Sequence, residues 1–170
     1  MSDPREMALL MTTGMSLRGW EEAGFLDREL SIYREIAQRM GMRIVFISYG
    51  GEDELDYLQG EECFGVIPKL NPGMKDLKYS FKLGKRLGPL WQRFSLIKSN
   101  QMRGAWAGIY AKKKYNVPFV VRCGYEWVMY EEHLRRRSKP YMWMARRMER
   151  KVYSHADQIL MPGQDARSFI

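Results

Sequence analysis

The chain predicts an α/β domain: a Rossmann-like open, mostly parallel sheet with helices on both faces. Three observations lead there. Short apolar runs end at glycine or small polar residues, helical periodicity fills the gaps between them, and 170 residues correspond to about one domain. Hydrophobic residues make up 45% of the chain and charged ones 28%, a composition that supports a packed core and excludes a disordered polymer.

The first run, Glu6 to Thr12, reads as a buried strand stopped by the turn at Thr13 and Gly14. After a loop with Gly14, Gly19 and Gly24, the residues Leu30, Tyr33, Ile36, Ala37 and Met40 recur at helical spacing with Ile32 beside them. Asp27 is placed to cap that helix and Gly41 to end it. Residues 43 to 51 hold four consecutive apolar residues before paired glycines, the pattern of a strand covered on both faces. Residues 63 to 68 form a weaker or edge strand, because Gly65 interrupts it and Pro68 closes it. Between Asn71 and Gln92 the basic, aromatic text with Gly84, Gly88 and Pro89 predicts a broken helix.

Residues 94 to 101 read as a fourth strand. A helix follows through Ala105 and Ile109, with Lys112 to Lys114 at its negative end. Residues 117 to 123 make the clearest strand, β-branched inside and opened by Pro118. The segment 138 to 156 predicts a helix with Ser138 as cap, Pro140 near the first turn and a stripe of Tyr141, Met144, Met148 and Val152. A short strand near 157 to 163 completes about six, joined by right-handed crossovers. Only QDARSFI follows Gly163, so the text reads as stopping within an element, as the first half of something larger would.

Charge is distributed unevenly. Residues 1 to 66 carry 6 Lys and Arg against 13 Asp and Glu, and residues 67 to 170 carry 22 against 7, within a net charge of +8. A basic face of this kind concentrates anions, whether nucleic acid, lipid headgroups or phosphorylated molecules, although solvated surface charge explains it equally well. No run approaches the roughly 18 apolar residues of a membrane span, and the start lacks the basic region of a signal peptide. Two cysteines, Cys63 and Cys123, and two histidines, His133 and His155, exclude a disulfide framework and argue against a structural zinc site. The cytoplasm is the expected compartment.

Ligands of open parallel sheets bind at the carboxyl ends of the strands, which directs attention to the loops after Thr12, Ser48, Asn100, Arg122 and Met161. Thr12, Thr13, Gly14, Ser16 and Gly19 offer small side chains and backbone donors suited to a phosphate or sugar, or simply make a turn. Neither GxGxxG nor GxxxxGK[ST] occurs. Asn100, Gln101, Arg103 and Gly104 combine amide and guanidinium donors before a helix, with local capping by Asn100 as the competing account. Arg122, Gly124, Tyr125, Glu126 and Trp127 gather a cation, an acid and two aromatic rings, a combination that holds sugar rings. Glu126 is the one candidate base there. Cys123 has no nearby histidine and reads as a small buried thiol.

Two basic stretches, 75 to 94 and 138 to 154, interleave Tyr79, Phe81, Trp91, Tyr141 and Trp143 with Lys and Arg. Such stretches suit lipid headgroups or nucleic-acid bases, although core-facing aromatics with a solvated cationic back are the favoured account.

Taken in order, TTGMSLRGWEEAGFLDRE (12 to 29), FISYGG (46 to 51), IKSNQMRGAWAG (97 to 108), VPFVVRCGYEW (117 to 127) and ERKVYSHADQILMP (149 to 162) resemble the N-terminal half of a family-4 glycosyltransferase. The resemblance is close in these segments and vague from about 53 to 93. It implies half of a GT-B fold, with this half binding the acceptor and an absent second half binding the nucleotide-sugar donor. It further implies that Gly14 to Trp20, including Ser16, line the cleft floor. Asn100, Gln101 and Arg103 would approach the acceptor, and Arg122, Gly124 and Tyr125 would face the donor sugar. Relatives place a histidine after the fifth strand, where this chain has Cys123, Gly124 and Tyr125.

The completed enzyme would transfer a sugar from a UDP- or GDP-sugar with retention, without an obligatory metal or other cofactor. Its setting would be cell-surface polysaccharide or glycolipid synthesis, with an acceptor glycan or lipid-linked sugar, a donor domain in cis or trans, and an anionic membrane surface as partners. This chain alone is expected not to turn over. The competing class is a non-catalytic Rossmann-like module, either a partner subunit or a basic RNA-binding domain, although no RNP, KH or zinc pattern supports RNA.

Overall fold

A computed structural model describes residues 5–124, Val128, Glu131 and 138–161. Six strands form one parallel sheet: β1 (Arg5–Leu10), β2 (Met42–Ile47), β3 (Phe64–Ile67), β4 (Phe94–Ser99), β5 (Phe119–Arg122) and β6 (Gln158–Leu160), in the spatial order β3-β2-β1-β4-β5-β6. Strand order reverses between β1 and β4, so loops leaving those strands diverge to opposite faces and open a crevice at their carboxyl ends.

The unbroken apolar text of β1 follows from its central position. Met7 and Leu9 join a core with α1 (Leu17–Glu22) and α2 (Leu26–Met40), whereas Ala8 and Leu10 join a second core on the other face. That second core is roofed by α3 (Asp76–Leu87), α4 (Trp106–Tyr115) and α5 (Lys139–Tyr153). With both faces covered, a strand gains nothing from polar alternation. β3 lies at one edge of the sheet, where its interior glycine and closing proline are tolerated.

Several local expectations change. α2 starts one residue before Asp27, and the N-cap position belongs to Phe25, which makes no side-chain cap bond. Asp27 sits instead in the first turn, where a carboxylate still interacts favourably with the helix dipole. Gly41 ends the helix at φ 57°, as a left-handed stop requires. Met40 and Ile32 are about half exposed, leaving Leu30, Tyr33 and Ala37 as the buried stripe.

The segment expected to be a broken helix does break at Gly88 and Pro89, where α3 gives way to a 3₁₀ segment, Gly88–Arg93, but it runs on through Gly84. Gly84 does not break it because it serves packing: a Cβ there would lie 2.6 Å from the Cβ of Tyr110 on α4. In α5 Met142, Ala145 and Val152 are buried while Tyr141 and Met148 pack, partly buried, against the same core, so the expected stripe holds at Tyr141, Met148 and Val152 and omits Met142 and Ala145. Ser138 occupies the cap position of α5 without a side-chain bond. Tyr79 and Trp91 are fully buried, while Phe81 and Trp143 are 48% and 66% exposed, so the basic aromatic stretches divide between core and surface. Among the described residues no helix is long and apolar enough to cross a membrane.

Candidate functional site

The loops at the carboxyl ends of the strands are stitched to one another by backbone and side-chain hydrogen bonds. The Thr13 N–H donates to the Arg103 carbonyl at 3.1 Å, and the Asn100 N–H to Leu10 at 2.8 Å, joining the loops after β1 and β4. Their approach depends on Gly104, whose φ is 101° and where a Cβ would lie 2.9 Å from Thr13 Oγ1. The Gly124 N–H donates to Gln101 Oε1 at 2.9 Å, joining the loops after β4 and β5. On the other side, the Tyr49 N–H reaches the Met15 carbonyl at 3.2 Å.

Gly14 has φ 82°, and a Cβ on it would lie 3.2 Å from Asp76 Oδ2 at the start of α3, a carboxylate held by Lys69 at 2.7 Å. Ser16 is occupied as the cap of α1, its Oγ accepting from the Gly19 N–H at 2.9 Å. Trp20, expected to line the cleft, is 3% exposed and packs edge-on against Phe46 at 5.9 Å, so it belongs to the core. α1 is amphipathic, and Trp20 and Leu17 are its two buried residues.

A buried carboxylate outside the expected set supports this loop. Glu54 is fully buried and accepts hydrogen bonds from the Leu17 N–H at 2.8 Å, the Arg18 N–H at 3.1 Å and the Ser48 hydroxyl. A carboxylate at the start of α1 satisfies donors that the helix leaves unpaired and complements its dipole. Gly50 is a consequence, because a Cβ there would fall 2.3 Å from the Glu54 side chain.

Between α2 and the ends of β4, β5 and β6 lies a cleft of about 340 Å³. Asn100, 7% exposed, turns its side chain toward α2 instead of capping α4, whose cap position is Ala105. Its Oδ1 accepts from the Tyr33 hydroxyl and from Arg122 Nη1, both at 3.4 Å. Lys98 donates to the Tyr33 hydroxyl at 2.9 Å, and its Nζ lies 5.0 Å from the centre of that ring. Burial, reinforced by the neighbouring Arg122 guanidinium and opposed by Glu29, pushes the Lys98 ammonium down to about 8. Burial also raises Tyr33, keeping its phenol protonated.

Arg122 lies 3.9 Å from Glu29, a carboxylate that Arg28 approaches at 2.8 Å. Lys98, Tyr33 and Glu29 were not among the expected site residues. The one signal was Lys98 itself, a cation that directly follows the apolar pair Leu96 and Ile97 in β4. Tyr125 and Glu126 lie outside the described residues. Among the described residues, no group of three or more His, Cys, Asp or Glu side chains could hold a metal ion.

Together the sheet order and the stitched rim define one lobe of a doubly wound α/β protein, with its crevice at the switch point. Residues 30–170 match the glycosyl transferase 4-like domain family, and the chain belongs to that family as an N-terminal domain of GT-B type. The matched stretch starts within α2, after the glycine loop.

Among solved structures, the chain is similar to MurG of Acinetobacter baumannii, with a TM-score of 0.50 and 10% identity over 93% of this chain and 41% of that one. It is also similar to Anabaena HepE in complex with UDP-glucose, with a TM-score of 0.53 and 12% identity over 96% and 39%. A second HepE structure, with UDP and glucose, gives 0.52 and 14% over 96% and 40%. The chain thus spans about two fifths of the length of these proteins. At such identities the likeness is one of fold. No curated protein matches the chain.

Proposed function

We propose that this chain is the acceptor-binding half of a retaining glycosyltransferase that uses a nucleotide-sugar donor, without an obligatory metal, in cell-surface polysaccharide or glycolipid synthesis. The family supplies the reaction class. The observation that carries the acceptor role is the joined rim, in which Thr13 meets Arg103 and Gln101 meets Gly124. The rim gathers Asn100, Gln101, Arg103 and Arg122, whose amide and guanidinium groups are of the kind that binds sugar hydroxyls. The donor lobe is supplied in cis or in trans, and the UDP-glucose named for HepE makes a UDP-sugar the first donor to try.

Docking at the cytoplasmic membrane face is the companion reading, favoured by the outer side of α5. Trp143 is 66% exposed, Arg147 lies over its ring at 5.7 Å, and both line a groove of about 470 Å³ with Arg150 and Lys151. An indole at headgroup depth flanked by cations suits anionic lipid.

The test combines the chain with a separately expressed GT-B donor lobe that binds a UDP-sugar. Alone, the chain should bind UDP-glucose only at millimolar concentration and release no glucose. With the lobe it should transfer the sugar with the anomeric configuration kept. Micromolar donor binding by the chain alone overturns the acceptor role, and an inverted product overturns retention. In flotation assays the chain should follow vesicles containing phosphatidylglycerol and be released by salt. Equal flotation with neutral vesicles defeats membrane docking by charge.

A further inference from the structure

On the α2 face the described residues leave part of the sheet unroofed. α1 and α2 contribute the helical residues of the core on that face, and their partners come mainly from β1 and β2. Toward β6 the sheet is more open: Val120 is half-buried and Leu160 is 43% exposed. The cleft that results has two kinds of wall. Ile32, Ile36, Leu160 and Met161 form an apolar side, and Lys98 and Arg122 form a cationic side. Ile32 is itself 48% exposed.

The cations are under-compensated. Glu29 is shared between Arg28 and Arg122, with the shorter contact going to Arg28. Among the described residues no carboxylate lies within 4 Å of the Lys98 ammonium, which donates to the Tyr33 hydroxyl at 2.9 Å and to the Ser99 carbonyl at 3.5 Å. An ammonium has three donors and a guanidinium five, so both groups retain capacity toward the cleft. A largely buried cation whose only counter-ion is shared and distant is costly in free energy, and an incoming anion lowers that cost.

We propose that this cleft binds a phosphate ester carried on an apolar chain, with the phosphate oxygens between Lys98 and Arg122 and the chain along Ile32, Ile36 and Leu160. Several oxygens on one compact anion can engage both cations together, and the adjoining apolar wall accounts for the tail. The inference rests on the acceptor-half reading and specifies its substrate class as an anionic amphiphile. The same headgroup chemistry would also admit free phosphate, which the experiment separates.

Calorimetric titration of the 170-residue chain, without any nucleotide sugar, uses octyl phosphate below its micellar concentration, octyl glucoside with the same tail, and inorganic phosphate with the same head. Octyl phosphate should bind at least about tenfold tighter than either control. Lys98→Gln and Arg122→Gln should each weaken it by about tenfold, the effect of losing one charge-assisted contact. Ile32→Gln, a neutral polar change at a half-exposed position, should weaken octyl phosphate and spare inorganic phosphate, so one informative variant remains even if a rim variant fails to fold.

Octyl glucoside binding as tightly as octyl phosphate overturns the cationic role. Inorganic phosphate binding as tightly overturns the apolar one, and unchanged affinity in Lys98→Gln overturns the assignment of Lys98. Because no donor is present, absent octyl phosphate binding defeats this subsite alone, whereas absent sugar transfer with binding intact defeats the enzymatic reading alone.

Discussion

The two ends of the sheet treat buried charge in opposite ways. At the amino end, Glu6 is 8% exposed and held by two guanidiniums, Arg93 and Arg43. At the carboxyl end, Lys98 is given a phenol and a distant carbonyl, and Arg122 shares a carboxylate with Arg28. One end is electrostatically closed and serves the fold. The other keeps unspent donors, as a surface awaiting a ligand should. Glu54 complicates a simple division, since it lies at the carboxyl end and is fully satisfied by the chain itself. It therefore belongs to the support of the site and not to its binding surface.

That division has its largest expected consequence at Glu54. Replacing it by alanine leaves the Leu17 and Arg18 N–H groups and the Ser48 hydroxyl unpaired in a water-poor place. The loss should be about 3–4 kcal/mol in urea unfolding, by the cost of orphaned buried donors. A loss below about 1 kcal/mol would mean that water or relaxation replaces the carboxylate readily. At the closed end, Glu6→Ala should cost about 2 kcal/mol, because Arg43 and Arg93 stay partly exposed and recover hydration. Equal costs at the two positions would erase the distinction between a sealed internal carboxylate and one at the sheet's border.

Much of the fold is legible in the sequence, because both signals used for it are local. The unbroken apolar text of β1 and β2 marks central strands, and Gly41 marks the end of α2. The loops after Thr12, Asn100 and Arg122 follow from parallel-sheet topology once strand order is guessed. What was hidden depends on tertiary neighbours. Gly84 reads as a break until Tyr110 is seen against it, and Asn100 reads as a cap until Tyr33 and Arg122 claim its side chain. Trp20 looks like a cleft aromatic because text does not show which side of a six-residue helix faces Phe46. Glu54 is one acid in an acidic run, and only the fold places it beneath α1.

Lys98 carries the smallest predicted change and the one with opposite sign. Its proton affinity is depressed from 10.5 in the unfolded chain to about 8 in the fold. A group depressed in this way contributes full stability above its unfolded value and loses it as pH falls through the folded one, so at pH 7 the ammonium opposes folding. Lys98→Met keeps the apolar stem and leaves Tyr33 its bond to Asn100. The variant should therefore be more stable than the parent by about 1–2 kcal/mol at pH 7, an amount discounted for partial solvation. The gap should close between pH 8 and 10.5, where the parent sheds the proton and the penalty with it. Octyl phosphate should narrow the gap at pH 7 as well, since it binds the chain that retains the cation more tightly and stabilises it more. A variant less stable than the parent at pH 7 would show that the ammonium is already compensated by the chain, and the contrast between the two ends of the sheet would lose its main support.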